Sequence, residues 1–455
     1  MTVRSPHARA PLMNEMSRRY AWTILVVLLS LSLREPTFGQ TVSGGAKPVA
    51  APTKLTWKAG TATAVITPKE NMWMAGYAAR KKPSEGVARD LFGKALALEG
   101  ADGQPFVLVT TDLIGIRRDV RNTVAERCRS EFGLQSERLL LNASHTHCGP
   151  EYRPRAGREK EAESYQAFLE QTLVRLVGEA LKNRRPVEAA YARARCGFAM
   201  NRRRNYALPT DDVNAKRAPT YDGPVDHDVP VLTIRDESGT LRAVAFGYAC
   251  HNTTLSSVTV PPAEPKYLFN GDYAGFAQER LQQAYPEAVA MFVNGCGGDQ
   301  NPYPRRDEVP GLMPLELAEH HGRTLAYSVI AALNTGTRPL TGSIRAAIGD
   351  VELTRNAGKP SHSYPVQVVS LGDSVTLVAL GSETVVDYAL RLKKEVMSPM
   401  VWVAGYSNDY SGYVPSRRVA VEGGYEAAND FTLDVEDRIV AKVRSLLSSI
   451  NAPKD

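Results

Sequence analysis

Apolar and polar positions follow two different periods along this chain, and the two periods alternate. Short continuous apolar runs predict buried strands, and they cover residues 106–111, 139–141, 241–250 and 375–381. Between these runs, apolar residues recur at helical spacing and predict amphipathic helices over residues 119–132, 161–181, 272–284, 315–333 and 433–450. Strands that alternate with helices are typical of α/β domains. The pattern therefore predicts an α/β fold, in which a mixed sheet forms the core of a single large domain and helices flank it.

The amino terminus departs from this alternation. Residues 21–33 form an uninterrupted apolar run, and Arg18 and Arg19 precede it. The run is too short to span a bilayer and has the length and basic flank of a signal-peptide core. We therefore predict a signal peptide over residues 1–39 and export of the chain to the periplasm or the medium. An uncleaved membrane anchor is the alternative.

Composition limits the partners of the exported chain. After a disordered linker, predicted over residues 40–56, residues 57–455 form the folded domain. Removing residues 1–39 takes away five basic and two acidic side chains and lowers the formal charge from +6 to +3. A nucleic-acid-binding face would show as a concentrated basic stripe, so no nucleic-acid partner is predicted. The basic run at residues 202–204 is interpreted as a solvated loop or an anion contact, and residues 205–223 as a long loop that shapes a binding mouth.

Residues 138–150 form the most informative stretch, because an apolar strand there runs directly into His-Thr-His and then Gly-Pro. Side chains alternate along a strand, so His145 and His147 point to the same side of the backbone. Imidazole nitrogen is the usual neutral ligand of zinc, and two imidazoles that converge on one volume are candidate metal ligands. A pair of solvated or core histidines is the other interpretation.

Two more candidate ligands follow predicted strands. His251 comes directly after the strand over residues 241–250, and Glu383 comes after the strand over residues 375–381. Enzymes of the α/β class commonly place functional groups at strand ends. A catalytic zinc takes three or four nitrogen and oxygen ligands and keeps a position for water. Two histidines and a glutamate at strand ends therefore predict a catalytic Zn2+, one per chain.

Six short motifs occur in an order that resembles the amidase domain of the neutral (alkaline, non-lysosomal) ceramidases. In this chain they are GTATAVITP (60–68), HTHCGP (145–150), HNTT (251–254), NGD (270–272), NDYSGY (408–413) and YE (425–426). The likeness extends from about Gly60 to Thr432. It implies an α/β amidase domain that hydrolyses the N-acyl amide bond of ceramide or a related lipid amide. A lipid substrate would bring transient contact with a membrane surface.

The resemblance also implies a set of ligands. Carried over to this chain, the family pattern makes four residues the zinc ligands, namely His145, His251, Glu383 and Tyr413. A phenolate oxygen is an unusual ligand, but a metal lowers the pKa of an oxygen acid that it binds.

Three further residues receive roles from the resemblance. It implies that His147 lies behind the ligands or is the general base, and that the hydroxyl of Tyr425 steadies the substrate carbonyl. It implies a further polar contact from Arg202. The expected reaction is metal-assisted hydrolysis, in which His147 takes the proton of the attacking water and returns it to the leaving amine.

The likeness has two departures. The family places a serine near its Asn-x-Gly-Asp turn, and the residue that corresponds here is Gly295. Glycine has no hydroxyl, so substrate positioning must differ there unless Asn294 or Cys296 reaches in from one side. Complete ceramidases also carry a C-terminal β-sandwich domain, whereas the likeness in this chain covers the amidase domain only.

The five cysteines are too few and too scattered for a disulfide scaffold. Because five is odd, at least one is unpaired. Cys148, Cys250 and Cys296 adjoin the motifs above, and we predict that they pack as small buried residues beside the site rather than as reactive thiols.

Other functions remain open at this level. A different metallohydrolase, acting on a non-lipid amide, an ester or a lactone, would use the same chemistry. A barrel amidohydrolase also uses a His-x-His strand, but places it near its amino terminus, whereas His145 lies far along this chain. A non-catalytic binding protein would hold a structural zinc, which four protein ligands normally close.

Overall fold

The computed structural model describes residues 55–203, 223–255, 266–305, 311–356 and 358–452. The predicted signal peptide, nearly all of the predicted linker and nearly all of the predicted loop over residues 205–223 lie outside the described residues. None of the helices in the described part of the chain has both the length and the apolarity needed to cross a membrane.

The elements follow the predicted alternation closely. The strands, numbered β1 to β17 in chain order, are Trp57–Val65, Phe92–Glu99, Pro105–Thr111, Leu139–Ala143, Arg185–Arg195, Ala199–Asn201, Asp228–Arg235, Leu241–Tyr248, Val289–Asn294, Gln300–Pro302, Arg338–Pro339, Ile344–Leu353, His362–Leu371, Val375–Leu380, Glu383–Thr384, Met400–Ala404 and Tyr413–Val414. The α-helices, numbered α1 to α7, are Arg118–Phe132, Glu159–Lys182, Asp272–Ala284, Pro314–Thr335, Asp387–Glu395, Arg417–Glu422 and Val435–Asn451. Every predicted strand and helix is present, so the α/β prediction is confirmed.

The strands form two main sheets. The larger sheet has nine strands in the order β4-β3-β2-β1-β5-β7-β8-β9, and β11 pairs with β5. The smaller sheet has four strands in the order β12-β13-β14-β16. Within these sheets β3 is parallel to β4, β8 to β9 and β14 to β16, and the other neighbours are antiparallel. Both main sheets are therefore mixed.

Alternating side chains bury both faces of the larger sheet. On β2, Leu96 and Leu98 face the smaller sheet, where Trp402 belongs to the same apolar cluster, whereas Ala95 and Ala97 face helices α1 and α2. Helices α3 and α4 cover the other half of that outer face, and α5 and α7 cover the outer face of the smaller sheet. The domain is thus built in four layers, in the order helix, sheet, sheet, helix.

Side chains from distant strands join the strand ends that carry the candidate residues. The backbone N–H of Asn294, at the end of β9, donates to Oδ1 of Asn142 in β4 at 2.9 Å. The Asn142 side-chain amide donates to the carbonyl of Gly405, just after β16, at 2.8 Å. Because β8 pairs with β9 up to Tyr248 and Asn294, the segments that follow β4, β8 and β16 are held next to one another.

Candidate metal centre

Two histidines leave the ends of β4 and β8 with their rings fixed by backbone carbonyls. His145 adopts a positive φ of 61°, and its Nδ1 lies 2.7 Å from the carbonyl oxygen of Ile114. His251 Nδ1 lies 2.6 Å from the carbonyl oxygen of Gly297. A carbonyl can only accept, so each Nδ1 carries the proton and donates it. Each ring therefore turns its Nε2 into the cluster, which is the orientation of a metal-binding imidazole whose Nδ1 is hydrogen-bonded.

A short parallel pairing of β15 with β17 places the other two predicted ligands side by side, since Glu383 is the partner of Tyr413 in that register. Glu383 Oε2 lies 3.2 Å from His145 Nε2 and 3.3 Å from His251 Nε2. The Tyr413 hydroxyl lies 3.3 Å from His251 Nε2. The structure therefore brings the four residues of the predicted ligand set into one cluster.

The separations in this cluster fit a small cation. Glu383 Oε2 is buried, has no hydrogen-bond partner among the described residues, and faces the Nε2 atoms of both histidines. A tetrahedral zinc with ligands at about 2.0–2.1 Å would hold its ligand atoms about 3.3–3.4 Å apart. The separations of Oε2 from the two Nε2 atoms, 3.2 and 3.3 Å, are close to that value. A small cation between these atoms would contact Oε2 and both Nε2 atoms at once.

Charge states in the cluster also suit metal binding. Burial would raise the pKa of Glu383, but the His145 and His251 imidazoles outweigh that effect and hold this pKa well below its usual range. Burial, assisted by the positive charge of Arg202, lowers the pKa of His251 to about 4. A charged carboxylate and a neutral imidazole are the forms that bind metal ions.

His147 lies beside these residues but differs from them. Its Nε2 is 3.2 Å from His145 Nε2, and the ring nitrogens of His145, His147 and His251 form a group that could hold a metal ion. Unlike the other two rings, His147 has a buried Nδ1 with no hydrogen-bond partner among the described residues. Burial, with the two neighbouring imidazoles, lowers the pKa of His147 well below its usual value. Ligand histidines almost always have their second nitrogen hydrogen-bonded, so the geometry separates His147 from the ligand pair.

Close backbone approach makes room for the His147 ring. Gly76 has a φ of 93°, and a Cβ at that position would lie 2.3 Å from Cγ of His147. The neighbouring Tyr77 packs edge-on against the same ring, with ring centroids 4.8 Å apart. Glycine at position 76 is therefore a steric requirement of this histidine's position.

Arg202 and Arg203 are buried beside the cluster, so the interpretation of this basic run as a solvated loop is wrong for these two residues. Arg202 Nη2 donates to the Tyr413 hydroxyl at 3.1 Å, and its Nε donates to Glu426 Oε1 at 2.7 Å. Arg203 is ion-paired with the other oxygen of Glu426. Both guanidinium groups share the buried Glu426 carboxylate, and Arg202 also contacts the Tyr413 hydroxyl. Residue 204 lies outside the described residues.

Two cavities open at this cluster. One, of about 220 Å³, extends past Arg202, Thr253 and Asn301. The other, of about 410 Å³, extends past Trp73 and Glu151. Four ring-bearing side chains line both cavities, and these are Tyr77, His147, Tyr413 and Tyr425. The cluster is thus reached from two sides.

Residues 57–303 match the family model described as neutral/alkaline non-lysosomal ceramidase, N-terminal. The chain belongs to this ceramidase family. A curated relative, neutral ceramidase A of Dictyostelium discoideum, is 25% identical over 252 residues, which are 51% of this chain and 34% of the relative. The match therefore spans about a third of the length of that relative. The resemblance inferred from the motifs is confirmed at the level of the family.

Two solved ceramidase structures share the fold. The neutral ceramidase from Pseudomonas aeruginosa superposes with a TM-score of 0.71 at 17% identity, covering 87% of this chain and 75% of that one. A ceramidase complexed with C2 superposes with a TM-score of 0.72 at 17% identity, covering 88% of this chain and 77% of that one. The mixed α/β architecture is therefore that of the ceramidases.

Two tyrosines of this ceramidase-family site were not predicted from the sequence. The Tyr410 hydroxyl donates to Glu383 Oε1 at 3.1 Å, and the Tyr406 ring lies 4.4 Å from the His145 ring. Tyr410 belongs to the NDYSGY motif, which was the signal that could have found it. Together they hold the carboxylate and the first imidazole from the side of the smaller sheet.

Gly295 departs from the ceramidase pattern for a packing reason. A Cβ at this position would lie 3.0 Å from both Cα and Cβ of Ala249, so the strand ends of β8 and β9 approach closely there. The neighbouring Cys296 is buried, as are Cys148 and Cys250, and burial raises the pKa of the Cys250 and Cys296 thiols. The prediction that these cysteines are small buried residues is confirmed.

Proposed function

We propose that this protein is a zinc-dependent hydrolase that cleaves the N-acyl amide bond of ceramide or a related lipid amide. The observation that carries the proposal is the convergence of His145 Nε2 and His251 Nε2 on Glu383 Oε2, at 3.2 and 3.3 Å. Membership of the ceramidase family supports the amide substrate. The lipid part of the proposed substrate is inferred from the family's name, and the proposed metal is inferred from the arrangement of the donor atoms.

The proposed ligands and His147 have different roles in the proposed reaction. A zinc ion held by His145, His251, Glu383 and Tyr413 would polarise the scissile carbonyl and lower the pKa of the attacking water. His147 lines both cavities and, through its Nε2, accepts a proton from water and passes it to the leaving amine.

Tyr425 is placed to act on the carbonyl oxygen. It lines both cavities, its ring lies 5.0 Å from that of Tyr413, and its side chain is 47% exposed. A hydroxyl at the mouth of the site can donate to the oxygen on which negative charge develops. Arg202 acts through Tyr413, because its hydrogen bond favours the ionised phenol.

Metal analysis and turnover test the proposal together. We expect elemental analysis of the purified protein to give about one zinc per chain, and a fluorogenic N-acyl sphingosine to be cleaved. A chelator should abolish cleavage, and added zinc should restore it, because the carbonyl is polarised by the ion. Zinc without cleavage would redirect the substrate search to non-lipid amides, esters and lactones. A protein without zinc would contradict the assignment of the centre.

Replacing Tyr425 with phenylalanine separates catalysis from metal binding. We expect kcat to fall by about 10²–10³-fold, the effect of removing one oxyanion donor, while zinc content stays the same. Tyr327→Phe is the matched control, since Tyr327 is similarly exposed, at 52%, on α4. Unchanged kcat in the Tyr425→Phe protein would remove this residue from the mechanism.

A further inference from the structure

We propose that the larger of the two cavities binds an anionic group, a carboxylate or a phosphate, carried by one half of the amide substrate. This inference rests on the proposed function and narrows its substrate class. The cavity, of about 410 Å³, is lined by four arginines, which are Arg80, Arg153, Arg155 and Arg158. Its acidic lining residues are Glu151 and Glu383, and Glu383 belongs to the metal centre.

Glu151 does not neutralise this cluster. Arg153 holds it with two hydrogen bonds, from Nε at 2.8 Å and from Nη2 at 2.6 Å, and Arg155 approaches the same carboxylate at 3.5 Å. Burial would raise the pKa of Glu151, but Arg153 outweighs that effect and lowers it, so the carboxylate is charged. One negative charge therefore faces three arginines of the same segment, and a net positive charge remains.

Arg158 supplies the group best placed for a ligand. Its guanidinium carbon lies 4.3 Å from the ring centroid of Trp73, and within the described part of the chain it makes no ion pair. A guanidinium stacked on an indole is held in one plane, and its N–H edges stay available for a planar or tetrahedral oxyanion. Arg158 is thus pre-oriented for an anion that the chain itself does not provide.

The arginine cluster is joined to the metal centre. The Arg153 guanidinium carbon lies 5.6 Å from the Tyr410 ring, and the Tyr410 hydroxyl donates to Glu383 at 3.1 Å. His147 and Tyr413 line the same cavity. A substrate that occupies this cavity with its amide at the metal centre therefore places its other end among the arginines. An uncharged head group would give these guanidinium groups no oxyanion to bind.

Two kinds of amide carry the required oxyanion, an N-acyl amino acid and a phosphorylated ceramide. We would measure kcat/KM with four amides of one acyl chain, N-dodecanoylglycine, N-dodecanoylethanolamine, C12 ceramide and C12 ceramide 1-phosphate. The wild type would be compared with Arg158→Gln, Arg155→Gln and the control Arg175→Gln. Arg175 is an exposed residue of α2 paired with Glu179, so its loss leaves the cavity intact.

We expect the wild type to prefer the anionic member of at least one pair by about ten-fold, as a charge-assisted hydrogen bond allows. Arg158→Gln should lose that preference, Arg155→Gln should weaken it, and Arg175→Gln should keep it. The preferred pair identifies the carboxylate or the phosphate as the natural group. Equal or better cleavage of the neutral amides by the wild type, with no change in Arg158→Gln, would overturn the inference and leave the proposed function intact.

A binding measurement keeps the two hypotheses distinct. Calorimetry with dodecyl phosphate needs no turnover, and we expect the Arg158→Gln protein to bind it about ten-fold more weakly than the wild type. If no amide is cleaved, the proposed function fails, and this comparison alone decides the anion site. Equal binding by the two proteins would overturn it.

Discussion

Replacing His251 with alanine is expected to abolish binding of the proposed zinc and to lower kcat/KM by about 10³-fold or more, because the ion would supply several kcal/mol of transition-state stabilisation. The ring of His251 is fixed by the Gly297 carbonyl and its Nε2 faces Glu383. Alanine leaves three protein ligands and an opening that water can fill. Zinc content by elemental analysis and turnover of the fluorogenic amide would be measured on the same preparation.

The matched control for this change is His321→Ala. His321 is also buried, and burial lowers its pKa to about 4 as well, but its Nε2 lies 3.1 Å from the carbonyl oxygen of Pro304 and the residue lies outside the candidate metal cluster. We expect the His321 variant to keep its zinc. A His251→Ala protein that retained one zinc per chain, with an intact circular-dichroism spectrum, would contradict the ligand assignment.

Replacing Glu426 with glutamine is expected to lower the free energy of unfolding by about 3–5 kcal/mol, the usual cost of breaking a buried ion pair from one side. Its carboxylate is fully buried between Arg202 and Arg203. Glutamine keeps the shape of the side chain but removes the negative charge that both guanidinium groups share, although Arg203 keeps its contact with Glu422 at 3.4 Å. Urea unfolding of the wild type and the variant measures the difference.

Glu179→Gln is the control for that experiment, because Glu179 forms an exposed pair with Arg175 on α2. Exposed pairs of this kind contribute about 0–1 kcal/mol. We expect Glu426→Gln also to reduce activity, since Arg202 would lose one of the bonds that aim it at Tyr413. A loss of stability no larger than that of the control would show that the buried pair is not needed to hold the two arginines.

The sequence predicts the five longest helices and the strands β3, β4, β8 and β14, because their apolar periodicity reports burial directly. It does not predict the second sheet, whose edge strand β12 has mostly half-buried positions and no clean alternation. Local sequence patterns also do not predict the order of the strands in each sheet. Asn142 and Asn294 are far apart in the chain, yet their contact brings the ends of β4 and β9 together. The sequence of either segment alone does not predict this contact.

The candidate site, like the fold, could be predicted only in part from the sequence. His145, His251 and Glu383 follow apolar strands, so their positions can be predicted from pattern alone. Tyr413 lies in the two-residue strand β17, which no apolar run marks, and it was predicted only through the family resemblance. The burial of Arg202 was missed because a run of arginines normally lies in solvent. Its compensating partner, Glu426, is distant in sequence and becomes a neighbour only in the fold.

The origin of the four candidate ligands has a mechanical consequence. His145 and His251 follow strands of the nine-stranded sheet, while Glu383 and Tyr413 follow β14 and β16 of the four-stranded sheet. An ion held by all four would cross-link the two sheets, so that metal affinity and the docking of one sheet on the other are thermodynamically linked. Substitutions in the apolar layer between the sheets, at Trp402 for example, would then alter metal affinity without touching a ligand.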